Sequence, residues 1–124
     1  MKTVSTEKAP AAIGPYSQAK IINGLVFCSG QIPIDPATGN LEAGSIEDQT
    51  RQACLNVKAI LEAAGSDLEK VVKSTCFLAD MKDFQAFNGV YGEFFTGKPA
   101  RSCVVVRSLP KGALCEVEIT AFAG

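Results

Sequence analysis

The sequence predicts an α+β domain, a mixed β-sheet with two helices packed on one face, and three observations lead to it. Two stretches, residues 45–64 and a run ending at residue 95, repeat apolar residues at helical spacing. Residues 19–22, 25–29, 71–79, 102–107 and 115–122 alternate apolar with polar side chains or are rich in β-branched ones, as strands are. The resulting order is strand, strand, helix, strand, helix, strand, strand. It mixes hairpins with crossover helices, a pattern that closes as helices on one side of a mixed sheet. The 124 residues suffice for a single domain over residues 1–124, with its own core and no need of a disulfide or metal staple.

In chain order, residues 9–16 contain Pro10, Gly14 and Pro15 and form an ordered but irregular lead-in. Taken alone, Tyr16 in this segment reads as packing at a core or rim. Asn23-Gly24, between the first two strands, supplies the two positive φ values of a type I′ hairpin turn. Ser29-Gly30 ends the second strand. A hydroxyl beside a residue without a Cβ either marks a bulge or lets a ligand approach the backbone. Residues 35–40 have turn composition. The helix over 45–64 opens on Ser45 with Asp48 three residues on, a variant capping box, and stops at Gly65. Ile46, Thr50, Ala53, Val57, Ile60, Leu61 and Ala64 mark its apolar stripe, which is expected to pack on the sheet.

Residues 71–79 have the composition of a strand. Asp80 or Asp83 is expected to cap a second helix running through Phe95, with Phe84, Phe87, Tyr91, Phe94 and Phe95 on its apolar side. Asn88 reads there as a solvated position. The last two strands, 102–107 and 115–122, are joined by residues 108–112 and are expected to pair antiparallel. With the pairing centred near residues 109–112, Glu116 falls on the face that carries Arg101, Cys103 and Val105, and a slip of one residue reverses this. By themselves Arg101, at the mouth of its strand, and Glu116 read as surface charges. No element remains to cover the second sheet face, so self-association is expected.

Composition narrows the chemistry. Twelve basic and 13 acidic side chains leave a formal net charge of -1, without the basic footprint of a nucleic-acid binder. No run is long and apolar enough to span a bilayer, and residues 1–8 lack the apolar centre of a signal peptide. Cys28, Cys54, Cys76, Cys103 and Cys115 are odd in number, far apart and flanked by apolar residues. They read as free thiols of a reducing compartment, so a cytoplasmic location is expected. The chain has no histidine. That removes Ser–His and Cys–His dyads and every His-based metal site. Proton transfer falls to Glu, Asp, Tyr, Lys, Cys or bound water.

Several stretches, taken in order, resemble one family. They are Ala11-Ala12-Ile13-Gly14-Pro15-Tyr16-Ser17-Gln18, Ser29-Gly30-Gln31-Ile32-Pro33, Asn56-Val57-Lys58-Ala59-Ile60-Leu61, Asn88-Gly89-Val90-Tyr91, Pro99-Ala100-Arg101-Ser102-Cys103-Val104, and Leu109-Pro110-Lys111 followed by Glu116. Together they span nearly the whole chain, and the family they resemble is RidA/YjgF, the reactive intermediate deaminases. The resemblance implies a chorismate-mutase-like fold, a homotrimer, and sites in clefts between subunits. It implies hydrolysis of enamines and imines such as 2-aminoacrylate, 2-iminopropanoate and 2-iminobutanoate to 2-keto acids and ammonia, with no cofactor or metal. It implies that Arg101 holds the substrate carboxylate and Glu116 positions or activates water. Tyr16, Ser29, Gly30, Asn88 and Cys103 match the remaining pocket positions. Two departures stand out. The segment between Phe95 and Pro99 is shorter than in many members, and Cys115 precedes Glu116 where an aliphatic residue is usual. The competing expectation is a non-catalytic module that binds small carboxylates and reports them to a partner. The near-neutral charge and missing histidine argue against a ribonuclease.

Overall fold

The computed structural model describes residues 1–123. Its strands are β1 (Lys2–Val4), β2 (Ala19–Ile22), β3 (Leu25–Gln31), β4 (Val71–Leu78), β5 (Ala100–Val105) and β6 (Cys115–Phe122), and its helices are α1 (Ile46–Ala63) and α2 (Phe84–Phe94). They form a six-stranded mixed sheet in the order β1-β2-β3-β6-β4-β5, with both helices on one face. The α+β expectation is met. β1 is an additional strand, three residues too short to announce itself by alternation, which pairs antiparallel with β2.

Local chemistry accounts for the elements. Asn23 and Gly24 have φ of 52° and 75°, the pair of values a type I′ turn needs between β2 and β3. Ser45 caps α1 by accepting from the Asp48 N–H at 3.1 Å. Past its end, Gly65 takes φ of 77° while the Ser66 N–H donates to the Leu61 carbonyl at 2.8 Å, which satisfies the last turn. The stripe residues Ile46, Thr50, Ala53, Val57, Ile60 and Leu61 are all buried, and Ala64 is half-buried. Of the two aspartates expected to cap the second helix, Asp80 carries the bond. It accepts from the Lys82 N–H at 2.9 Å and caps a short 3-10 turn ahead of α2, whereas Asp83 makes no side-chain cap.

The pairing of the last two strands differs from expectation. β5 does not pair with β6. It lies parallel to β4 at the sheet edge, with Arg101 opposite Ser74 and Cys103 opposite Cys76. β6 instead runs antiparallel between β3 and β4. The reason is the crossover: α2 carries the chain from the end of β4 back to its start, so β5 must run the same way as β4. The loop after β5 is then a crossing over the end of β4. Val106 N–H donates to the Leu78 carbonyl at 2.9 Å on one side, and Ala79 N–H to the Leu114 carbonyl at 3.0 Å on the other. β5 also starts earlier than expected, so Arg101 lies inside the strand.

This topology reverses a second expectation. Residues opposite each other share a face, so Arg101, Ser74 and Ile119 all point to the helix side. Glu116 is three residues from Ile119 and therefore points to the other side. Glu116 does not share a face with Arg101 and Cys103. That other face has no helix over it. Phe27, Leu25 and Phe122 project from it and are 46%, 36% and 46% exposed, with Leu25 directly opposite Phe122.

Candidate functional site

Six of the sequence-derived candidates and their backbone neighbour fall into two groups on opposite sides of the sheet. The first group lines a cleft of about 690 Å³ on the bare face, with Tyr16, Ser29, Gly30 and Glu116 in its wall. A bulge shapes this wall. Between Cys28 and Gln31 β3 spends three steps where β6, from Ile119 to Val117, spends two, and the extra residue falls at Ser29-Gly30. The two readings of Ser29-Gly30, a bulge or a close approach, are therefore one feature. Gln31 Nε2 folds back to donate to the Ser29 carbonyl at 3.1 Å, satisfying a group the ladder leaves open.

Gly30 is where the close approach occurs. A Cβ built there would collide with Glu116 Oε2 and lie 2.8 Å from Glu116 Cδ. The absence of a side chain lets the Glu116 carboxylate lie flat against the β3 backbone. Burial, and then the Glu118 carboxylate two residues along the same face, hold the Glu116 carboxyl above the usual carboxylate range. Ser29 is fixed by two bonds. Its hydroxyl donates to the Ser17 carbonyl at 2.6 Å, and its N–H to the Gln18 carbonyl at 2.9 Å. With its proton so used, the hydroxyl oxygen is left to accept from a ligand. Gln18 in turn donates to the Thr6 and Pro10 carbonyls at 3.0 and 2.8 Å, so the segment bearing Tyr16 is tied down on both sides. The Tyr16 side of the cleft stays open to solvent, with that residue 54% exposed.

The second group sits on the helix side of the edge strand. Arg101 Nη1 donates to Asn88 Oδ1 at 2.7 Å, so Asn88 is an orienting partner and not a merely solvated position. The Arg101 guanidinium carbon stands 4.9 Å from the Tyr91 ring centre and 5.8 Å from that of Phe84. The ion pairs among the described residues are Arg51–Glu93 at 3.6 Å and Lys70–Asp67 at 3.9 Å, and neither involves Arg101. Its remaining N–H groups are therefore available to a planar anion. Cys103 is half-buried beside it. Burial raises its thiol above the ordinary value and the Arg101 charge opposes that shift. The other four cysteines are buried and free. Burial pushes Cys28 and Cys76 up to about 12, and Cys115 up to about 11, so these thiols stay protonated. Cys115 lies fully buried under α1 against Thr50, on the face away from Glu116. The short turn from Phe95 to Pro99 leads into β5 on the Arg101 side, and its residues do not line the Glu116 cleft.

Residues beyond the sequence-derived set also line the cleft: Glu118, Lys111, Pro110, Ile13, Ile32 and Ile34. The alternation of β6 carried the signal for Glu118, which must share a face with Glu116. Lys111 is a non-glycine residue at φ of 58° in the crossing loop, and its composition announces nothing of the kind. Around Arg101, Tyr91 and Phe84 had read only as apolar helix residues. Among the described residues no group of three or more His, Cys, Asp or Glu side chains could hold a metal ion, and no helix is long and apolar enough to cross a membrane.

Comparison with known proteins agrees over the full length. The profile of a family described as "Endoribonuclease L-PSP" matches residues 6–123. The chain is 52% identical over 122 residues to AldR of Lactococcus lactis, named as a regulator, covering 98% of this chain and 97% of that one. It is 47% identical over 124 residues to the 2-iminobutanoate/2-iminopropanoate deaminase of Bos taurus, covering 99% and 90%. It is also similar to the crystal structure of E. coli TdcF with bound serine, with a TM-score of 0.95, 42% identity and all of both chains covered. The bulge, the glycine-backed glutamate and the edge-strand arginine thus belong to a chain that is a member of the RidA/YjgF family, whose profile carries the L-PSP description.

Proposed function

We propose that this protein is a hydrolytic deaminase of reactive enamines and imines, taking 2-aminoacrylate, 2-iminopropanoate and 2-iminobutanoate to 2-keto acids and ammonia. The observation that carries the reading is the pairing of an anion fork with an acid of raised pKa on opposite faces of one thin sheet. Arg101 is oriented by Asn88 and unpaired by any described carboxylate, while Glu116 is pressed against the Gly30 backbone in an open cleft. One copy cannot bring them together across its own sheet. A second copy, its β5 edge laid against the bare face of the first, can. The exposed apolar side chains of that face supply the reason for association. Such a contact is head-to-tail, and in the proposed homotrimer it closes into a ring with each site shared between neighbours.

The chemistry asks little else of the protein. An enamine tautomerises to an imine, and the imine nitrogen is basic enough to be protonated near neutral pH. Arg101 of one copy grips the substrate carboxylate through two parallel hydrogen bonds, which turns a chance encounter into an oriented one. Glu116 of the next, as the carboxylate, accepts a proton from water as its oxygen attacks the iminium carbon. The glutamic acid then returns that proton to the amino nitrogen of the tetrahedral intermediate. As the carbon–nitrogen bond breaks, the carbinol hydroxyl gives its proton to the Glu116 carboxylate and becomes the carbonyl, so that ammonia leaves and the keto acid remains. A raised pKa makes Glu116 a better base once ionised. Ser29 and Tyr16 orient the nitrogen and the water. Cys103 lines the pocket and is not the nucleophile, since its thiol is held protonated.

The test couples a dehydratase that generates 2-aminoacrylate to ammonia release. The protein is expected to accelerate release, and Arg101→Ala to abolish the acceleration while remaining folded and trimeric. The alternative is a non-catalytic module that senses small carboxylates, and the Lactococcus relative is named as a regulator. No acceleration at high protein concentration would favour it.

A further inference from the structure

The aromatic side chains of α2 are usually read as core, and one of them does more than fill space. Phe87, Tyr91 and Phe95 follow at intervals of four and form a row along the helix, with ring centres 5.6 and 4.4 Å apart and planes tilted by 26° and 19°. Tyr91 is the member of that row under the Arg101 guanidinium, at 4.9 Å. Its hydroxyl reaches Ser74 Oγ at 2.5 Å in a fully buried contact. Ser74 is the residue directly opposite Arg101 across the β4–β5 ladder. The strand neighbour of the arginine therefore fixes the tilt of the ring on which the arginine rests, and Asn88 fixes its rotation from the side at 2.7 Å.

From this geometry we infer that Tyr91, locked by Ser74, is a positioning residue that presets the plane of the Arg101 guanidinium for bidentate carboxylate binding. The inference rests on Arg101 being the anchor. A free arginine side chain samples many rotamers, and a fork bound in the wrong plane meets one carboxylate oxygen instead of two. A buried ring held at both ends removes that freedom before the ligand arrives.

The experiment measures binding of 2-oxobutanoate, a stable product-like carboxylate, by calorimetry, alongside the 15N relaxation of the Arg101 Nε–H group in the trimeric protein. Tyr91→Leu removes the platform and is expected to weaken binding about tenfold, the loss of one cation–π contact. It should also release the Arg101 side chain to fast motion, and in turnover KM should rise more than kcat falls. Tyr91→Phe keeps the ring and is expected to restore most of the affinity, with a loss of about threefold that Ser74→Ala reproduces and the double variant does not deepen. Should Tyr91→Leu fail to fold, these two hydroxyl variants decide. Unchanged affinity and an unchanged Arg101 signal in both would overturn the inference. Arg101→Ala separates the two levels: if it leaves binding unchanged, the anchor reading itself is wrong. If it abolishes binding while the Tyr91 and Ser74 variants bind and move as the parent does, only the positioning role is lost.

Discussion

Replacing Gly30 by alanine adds one methyl group, and the structure says where that methyl must act. The new Cβ would stand 2.8 Å from Glu116 Cδ and 3.2 Å from its Cγ, and would overlap Oε2 outright. Ordinary carbon–carbon contact is about 3.5 Å, so Cδ must retreat by roughly 0.7 Å and the carboxylate oxygen beyond it by on the order of 1 Å. The atoms in the way belong to the far end of a flexible side chain, and Gly30 is not held at positive φ. The backbone can therefore keep its conformation. Less freedom in the unfolded chain favours alanine by about 0.4–1 kcal/mol, and an off-rotamer glutamate costs about 0.5–1.5 kcal/mol. Net stability should change by less than about 1 kcal/mol, the difference of those two ranges. Activity should not survive so well, because a catalytic group displaced by 1 Å costs about 100-fold. The assay is ammonia release by Gly30→Ala, Glu116→Gln and the double variant, beside denaturant unfolding of each. If Gly30 acts through Glu116, the double variant is no slower than Glu116→Gln, a coupling of about 2.7 kcal/mol for a 100-fold effect. Full activity in Gly30→Ala, or additive losses in the pair, would refute the reasoning.

Four further outcomes are expected. Because burial and then Glu118 raise the Glu116 pKa, the acid limb of kcat/KM should lie above the ordinary glutamate value of about 4.3, and Glu118→Gln should move it part of the way down. The same shift makes the folded state bind more protons than the unfolded one between the two pKa values. Glu116 therefore makes stability fall as pH rises through that window, and Glu116→Gln should flatten the slope. Asn56 is buried on α1, where Nδ2 donates to the Ile32 and Ile34 carbonyls at 3.1 and 2.9 Å. Asn56→Ala strands both acceptors and should cost about 2 kcal/mol in denaturant unfolding with the m-value unchanged. Phe27→Glu puts a charge on the bare sheet face and should lower the mass measured by light scattering together with turnover. A fully active trimer would count against the shared-site reading.

Local features were legible in the sequence because local chemistry decides them. Asn23-Gly24, Ser45 and Gly65 each do what their type requires, whatever lies around them. The stripe of α1 needed only its own periodicity. The pairing of β5 and β6 was not legible because a short loop suggests a hairpin, whereas the direction of β5 is set by α2 and by its partner β4, some 27 residues earlier in the ladder (Arg101 opposite Ser74). No local pattern encodes that non-local choice. The error propagated at once: with the pairing changed, Glu116 moved to the other face from Arg101. Asn88 and Tyr91 were legible as helix residues but not as partners of Arg101, since each meets it only through the same crossover.

The corrected topology also explains why the sheet face is left bare. Were Arg101 and Glu116 on one face of one chain and close enough to pair, they would neutralise one another in the resting protein. A strong pair would lower the Glu116 pKa and occupy the fork that a substrate carboxylate needs. Separating them on opposite faces leaves each unspent. Arg101 bonds a neutral amide and an aromatic ring, and Glu116 faces another carboxylate. Association in the proposed trimer would bring the two charges to opposite walls of the cleft, with the ligand between them. In the proposed trimer the exposed apolar residues Leu25, Phe27 and Phe122 supply the driving force for that step. On this argument assembly and catalysis are one requirement. Mixing Arg101→Ala protomers with Glu116→Gln protomers should restore sites that neither parent has, at most about one site in four for random mixing in closed rings. Activity in the mixture no greater than the sum of the separate variants, after subunit exchange is verified by mass spectrometry, would break the link between them.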